Sequence, residues 1–334
     1  MTTEQITTSV QRVTPWRGAR VTRRGALGAV GAGAAAVAIL VFVLSTDAFL
    51  TVGNLKSIAL LSGFAGIVAL GQLMIMVSGN FFSLSLGTTL ATSSIIFVWM
   101  LQIGVVPAIL ISIAFGALVS ALQGFCVGAW STNPIILTIA ADSIMTAAVT
   151  LITGGNAETT GPHAPSLHFL AAPIGGVAFP FYVLVLLVIV THLLLTRTRL
   201  GAYMTLAGEN RAAARAASLP VTTAMVGAFA LSGVLAAVAG ILLAAFNNSS
   251  ADLTIQGNLS FNAIAATLVG GAAITGGRGS AIGTFVGTLV MGAIQSCLLL
   301  RGYSDQVQLT VTGGIVFVAV IIVHLWSTRG IAHK

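Results

Sequence analysis

The residues able to do chemistry in this chain are few, and their spacing excludes most reactions. The five histidines, His163, His168, His192, His324 and His333, are scattered near loops and the ends of apolar runs. Cys126 and Cys297 sit inside apolar runs, with no C-x-x-C or Cys/His spacing, so no metal ligand set is expected. There is no H-E-x-x-H and no G-x-S-x-G. A phosphate-binding P-loop needs a lysine beside its glycines, and the only lysines, Lys56 and Lys334, stand in no such setting. No catalytic residue is assigned, and the chain is expected to be no enzyme.

The remaining polar residues are the informative ones. Asp142 lies within an apolar run, where a carboxylate is costly and marks a functional site by default. Asn133, Thr138, Ser143 and Thr146 lie on its own or neighbouring turns. In "MIMVSGNFFSLSLG", residues 74–87, Gly79-Asn80 predicts a break, with Ser83 just beyond it. Together with Asn262 these form the candidate solute pathway: Asp142, Asn80, Ser83, Asn133, Thr138 and Asn262. Amides and hydroxyls of this kind suit a polar, uncharged solute. The competing role for Asp142 is a hydrogen bond that packs or gates helices.

The stretch "GENRAAARAASLP", residues 208–220, concentrates charge that the chain otherwise avoids. Its pattern predicts a short helix from Asn210 to about Ser218. Asn210 caps it, Glu209 stands at its positive end, and Pro220 closes it. Arg211 and Arg215 fall one turn apart on one face. A solvated or headgroup-bound helix is the plain alternative.

Elements must hold these residues, and composition says where. Of 334 residues, 57% are hydrophobic and only 6% charged, against roughly a quarter charged in soluble domains. Apolar runs near 20 residues recur, so the chain reads as an all-α integral membrane protein of about ten helices. The runs are about 26–46, 56–78, 83–102, 105–130, 134–153, 175–196, 222–246, 260–275, 280–300 and 306–326. This places a basic cytoplasmic tail at 1–25, one transmembrane domain over 26–326 with a loop at 197–221, and a short tail at 327–334. An N-in, C-in threading puts all basic residues but Lys56 and Arg301 inside, as the positive-inside rule requires. The net charge of +7 thus reports topology, not nucleic-acid binding. Gly279, Gly283 and Gly287, spaced by four, predict a flat stripe for close helix packing. Gly276 and Gly277 suit a tight turn, and Arg278 anchors it at the interface.

Three segments resemble ribose-type ABC transporter permeases: "TRTRLGAYMTLAGENRAAARAASLPV", "NPIILTIAADSIMTAAVTLITGG" and "FNAIAATLVGGAAITGGRGSAIGTFVGTLVMG". The Gly276-Gly277-Arg278-Gly279-Ser280 motif is the most specific part. The resemblance implies an ABC importer permease in a bacterial plasma membrane. ATP and Mg would be handled by two separate ATPase subunits, and this chain would bind no cofactor. A second permease subunit and an external solute-binding protein would complete the assembly among membrane lipids. The resemblance also makes 208–220 the coupling segment, with Glu209, Asn210, Arg211, Arg215 and Ser218 facing the ATPase.

The chain departs from the family at three places. Ser83 stands where family members carry aspartate, Asn262 where they often have an acid, and Ser218 near a common glycine. The expected cargo is a monosaccharide or sugar-like solute, with nucleosides, branched-chain amino acids and signalling sugars in competition. A stand-alone secondary transporter or channel, using Asp142 as an ion or proton site, is the alternative from another class.

Overall fold

The computed structural model describes residues 49–251 and 253–331, with backbone alone for 253–257 and 322–331. The described residues are helical apart from loops and two isolated bridges. The long helices are α1 (Val52–Val77), α2 (Leu86–Met100), α3 (Val105–Ala129), α4 (Pro134–Thr153) and α5 (Phe179–Arg197). Two short ones follow, α6 (Arg199–Glu209) and α7 (Arg211–Ala216). Then come α8 (Val221–Asn247), α9 (Leu253–Val269), α10 (Ala281–Leu300) and α11 (Asp305–Ile331). Among the described residues seven helices are long and apolar enough to cross a membrane, and α9 and α11 contain shorter apolar stretches.

Nine of the ten expected runs therefore coincide with helices; the first, 26–46, lies outside the described residues. The largest boundary change is at 260–275. That helix ends at Val269, because Gly270 closes it and Gly271 turns to a φ of +86°. The apolar residues after it belong to the loop.

Local signals explain most helix ends. The Thr51 side chain caps α1, accepting from Asn54 N–H at 3.3 Å. Asn133 caps α4 through Ile135 N–H at 3.0 Å, with Pro134 in the first turn. Gly154 ends α4 in the left-handed conformation.

α1 is apolar on all sides and is the most buried helix, in contact with α5, α8, α9 and α10. α8 packs on α1, α2 and α3. The outer helices α3, α4 and α5 expose large aliphatic side chains, among them Leu118, Ile144 and Leu186. Such a surface suits lipid rather than water.

Small residues let the helices approach. On α3, residues Ala108, Ser112, Gly116, Ser120, Gly124 and Gly128 recur every fourth position and all are buried. A methyl group at Gly116 would come within 2.6 Å of the Gly233 carbonyl of α8, and Gly124 is as tight against Met225. The predicted stripe behaves the same way at two of its three positions. Gly283 and Gly287 press α10 onto α9, and a methyl group on Gly287 would run into the Ala266 carbonyl. Gly279 precedes the helix and packs on Leu73 and Val77 of α1 instead.

The bundle has two unlike ends. One gathers Arg197 at the end of α5, Arg199 on α6, Arg211 and Arg215 on α7, and Arg278 in the α9–α10 loop. At the other, the α4–α5 connection and the short α8–α9 connection pin each other. Thr160 N–H donates to the Asn248 carbonyl at 3.0 Å, and Ser250 N–H to the Glu158 carbonyl at 2.7 Å. These segments, around 156–160 and 248–251, are far apart in sequence.

Candidate functional site

Between α1 and α2 the chain leaves helical form over residues 78–85, as the Gly79-Asn80 break predicts. Gly79 takes a φ of +85°. The segment then runs back beside α1, so that Ser83 lies against Gln72, more than one turn before the helix end. In the orientation that satisfies both amide atoms, Gln72 accepts from Ser83 N–H at 2.9 Å and donates to its carbonyl at 3.2 Å.

A strip of polar side chains continues from there. The Ser83 and Ser85 hydroxyls lie 3.0 Å apart, and Ser85 donates to Gln123 Oε1 of α3 at 2.8 Å. Leu84 N–H donates to Thr138 Oγ1 of α4 at 3.4 Å. One turn into α2, Thr88 Oγ1 donates to Asp142 Oδ1. Ser83, Ser85, Thr88 and Thr138 are all buried. Gln123 Nε2 and Ser120 Oγ, also buried on α3, have no hydrogen-bonding partner among the described residues. Beside the strip, an open groove of about 610 Å³ is lined by Asp142, Ser143, Thr146, Ala147, Thr150 and Leu151 of α4.

The fold thus brings together Asp142, Thr138 and Ser83 of the expected pathway, with Asn80 three residues from Ser83. It sets two others apart. Asn133 is an exposed helix cap at the arginine-bearing end, its side-chain oxygen engaged by its own helix. Asn262 faces α11, accepting from Thr312 Oγ1 at 3.1 Å. There it lines a separate polar cavity of about 60 Å³ with Asn258, Gln295 and Asp305.

Sequence reading passed over Gln72, Gln123 and Thr88. The available signal was an amide inside an apolar run, at "LGQLM" and "ALQGF". Each must find a partner once water is excluded.

At the arginine-bearing end, Thr198 caps α6 through Gly201 N–H at 3.1 Å. Asn210 then interrupts the helix and caps α7, accepting from Ala213 N–H at 3.0 Å. The expected helix over Asn210 to Ser218 is therefore present, though it spans only Arg211–Ala216. It stops before Pro220 can act. Ser218 takes a φ of +57°, its N–H donates to the Arg215 carbonyl at 3.0 Å, and Leu219 N–H donates to the Ala214 carbonyl at 3.0 Å. This is the Schellman closure, whose left-handed position favours glycine. Serine holds here a conformation that glycine would take without strain.

Two expectations about this segment change. Glu209 is the last residue of α6 rather than the start of α7, and it is exposed. The two arginines also diverge. Arg215 is exposed and donates to Ser131 Oγ at 3.1 Å, in the loop between α3 and α4. Arg211 turns inward. Its Nη2 donates to Asn80 Oδ1 and lies 3.5 Å from both the Gly79 carbonyl and Met225 Sδ. Burial, and then the charge of Arg215, hold its pKa below the usual arginine value.

The glycines of three segments meet behind Arg211. Gly277 N–H donates to the Val77 carbonyl at 3.0 Å. Gly276 has a φ of +89° and Gly277 of +73°, and a methyl group on Gly276 would lie 2.9 Å from the Gly208 carbonyl. A methyl group on Gly79 would lie 2.7 Å from Gly208 Cα. The end of α1, the end of α6 and the α9–α10 loop therefore touch backbone to backbone.

Residues 54–325 match the family described as branched-chain amino acid transport system / permease component. The ribose import permease protein RbsC of Escherichia coli is 29% identical over 294 residues, 86% of this chain and 91% of that protein. Its counterpart in Bacillus subtilis is 29% identical over 289 residues, 85% of this chain and 89% of that protein. The autoinducer 2 import system permease protein LsrD of Yersinia pseudotuberculosis is 29% identical over 264 residues, 77% of this chain and 78% of that protein. No solved structure matches significantly. A family match over most of the length, on a bundle of apolar helices with aliphatic outer faces, leads to one conclusion: the chain belongs to this permease family and is a multi-pass membrane protein.

Proposed function

We propose that this chain is the membrane-spanning permease subunit of a bacterial ATP-driven importer for a small polar solute, most simply a monosaccharide or sugar-like compound. The observation that carries the reading is α7. It is a short, capped, largely exposed helix at the arginine-bearing end, tied at its base to the break between α1 and α2. A segment so placed can take a push from outside the membrane and pass it inward.

In this reading the arginine-bearing end faces the cytoplasm, in keeping with the positive-inside rule. Two ATPase subunits dock there against Asn210, Arg215 and the Ser218 turn, and they hold ATP and Mg. A second permease subunit, identical or a sister chain, completes the path. An external binding protein delivers solute to the pinned loops of the opposite end. The printed names of the relatives, ribose and autoinducer 2 import permeases, support a sugar-like cargo. So do the hydroxyls and amides of the strip, and Gln123 Nε2 and Ser120 Oγ, without partners among the described residues, which suit a solute's hydroxyl groups. The chain itself makes and breaks no covalent bond.

Reconstitution tests this. Proteoliposomes holding the chain, its ATPase subunits and its binding protein are expected to accumulate labelled ribose or a related sugar only with Mg-ATP. Flux through the chain alone, driven by an ion gradient, would replace the importer with a secondary transporter.

A further inference from the structure

Arg211 is expected from sequence to face the ATPase, yet its guanidinium points the other way, into the end of the helix bundle. It meets Asn80 Oδ1, and the Gly79 carbonyl at 3.5 Å. Asn80 is fully buried and has no freedom to follow another partner: its Nδ2 donates to Ser78 Oγ at 2.8 Å and contacts Met225 Sδ at 3.2 Å. A guanidinium N–H donating to a buried amide oxygen is a charge-assisted contact, stronger than one between neutral groups.

The chain beyond Asn80 is short and non-helical. Only Phe81 and Phe82 separate Asn80 from Ser83, about 10 Å of chain at full extension. Ser83 is held by Gln72, and Ser85 by Gln123. Behind the contact, Gly79, Gly208 and Gly276 meet with no room for a side chain. The α6–α7 junction and the 79–85 segment therefore have no slack between them, either through the side chains or through the backbone.

We propose that Arg211 is a positioning residue that latches α7 to the 79–85 segment, so that displacement of α7 moves Asn80 and thereby rearranges the Ser83–Ser85–Gln123 strip. This deepens the importer reading and rests on it. It divides the two arginines of the segment: Arg215 belongs to the outer face, and Arg211 carries the movement inward. A docking helix without such a latch could ride up and down on its flexible ends while the membrane core stayed still.

Phe81 is the place to observe the movement, since it is 48% exposed and lies between the latch and the strip. In a background with Cys126→Ala and Cys297→Ala, a spin label is placed on Phe81→Cys. The permease is assembled with its ATPase subunits in nanodiscs, and the label's spectrum is recorded before and after trapping with Mg-ATP and vanadate. The label is expected to change mobility on trapping. Arg211→Ala is expected to abolish that change while the ATPase subunits still co-purify, and Asn80→Asp, which offers the guanidinium a carboxylate, to retain it. Should Arg211→Ala not accumulate, Arg211→Lys, which keeps the charge and loses the guanidinium, is expected to blunt the change. An Arg211 variant that responds as fully as the parent overturns the latch and leaves the importer reading intact. A parent chain that binds no ATPase subunit overturns the importer reading, and the latch with it.

Discussion

At the scale of residues, two side chains invite direct tests. Ser218 holds a left-handed backbone that costs an L-residue about 1–2 kcal/mol relative to glycine. Ser218→Gly relieves this but loosens the unfolded chain, so a net gain of about 0.5–1 kcal/mol is expected. Thermal unfolding in detergent would show a raised midpoint; a lowered one would mean that the Ser218 side chain has a role of its own. Asp142 accepts from Thr88 on the neighbouring helix and also lines the open groove of α4. If the charge serves transport, Asp142→Asn should lower uptake by roughly tenfold, the scale of one charge-assisted hydrogen bond, with protein yield unchanged. A fall in yield with normal uptake per molecule would assign Asp142 to packing instead. Both residues were legible in the sequence, Asp142 as an isolated acid and Ser218 as a departure from a family glycine. The conformation of Ser218 was not, since only the closing bonds to Ala214 and Arg215 reveal which position of the motif it occupies.

At the scale of elements, the bundle depends on close crossings of small residues. In a membrane the hydrophobic effect gives little reason for helices to associate, so packing and backbone proximity must do so. Gly287→Val forces α10 away from the Ala266 carbonyl and is expected to destabilise by about 1–3 kcal/mol or more. Gly53, near the start of α1, has nothing within 4 Å of where a methyl group would go. Gly53→Ala is accordingly expected to be neutral or stabilising by up to about 1 kcal/mol. Monodispersity on size exclusion and thermal unfolding distinguish the two; equal tolerance of both would show that the α9–α10 crossing is looser than it looks. Helix positions were readable because an apolar run of membrane length admits few other structures. The four-residue stripe on α3 was equally present in the sequence. Its importance emerges only opposite Gly233 and Met225 of α8, because a small residue matters for what approaches it.

At the scale of the whole molecule, the question is how two ends of the bundle communicate. In the proposed importer, the exposed Arg215 would serve docking and the inward Arg211 transmission. Arg215→Glu reverses a charge on the outer face of α7 and should weaken ATPase association and ATP-driven uptake together, by about tenfold or more if the contact is charge-assisted. Pull-down of the ATPase subunits alongside uptake in proteoliposomes measures this; full association with Arg215→Glu would move the docking face elsewhere. The sequence alone determined that this chain lives in a membrane, where its helices run, and that it lacks a phosphate loop of its own. Those conclusions rest on local chemistry: a run of about 20 apolar residues, a capping asparagine, or the absence of a glycine-flanked lysine carries its meaning within a short window. Only the tertiary structure decided that Asn80 meets Arg211, that Ser85 meets Gln123, and that Asn133 and Asn262 stand apart from the polar strip. Those partners lie 131 and 38 residues away along the chain. Which polar side chain satisfies which is a property of the packed bundle, where every buried donor must find its acceptor among whatever helices close packing has placed beside it.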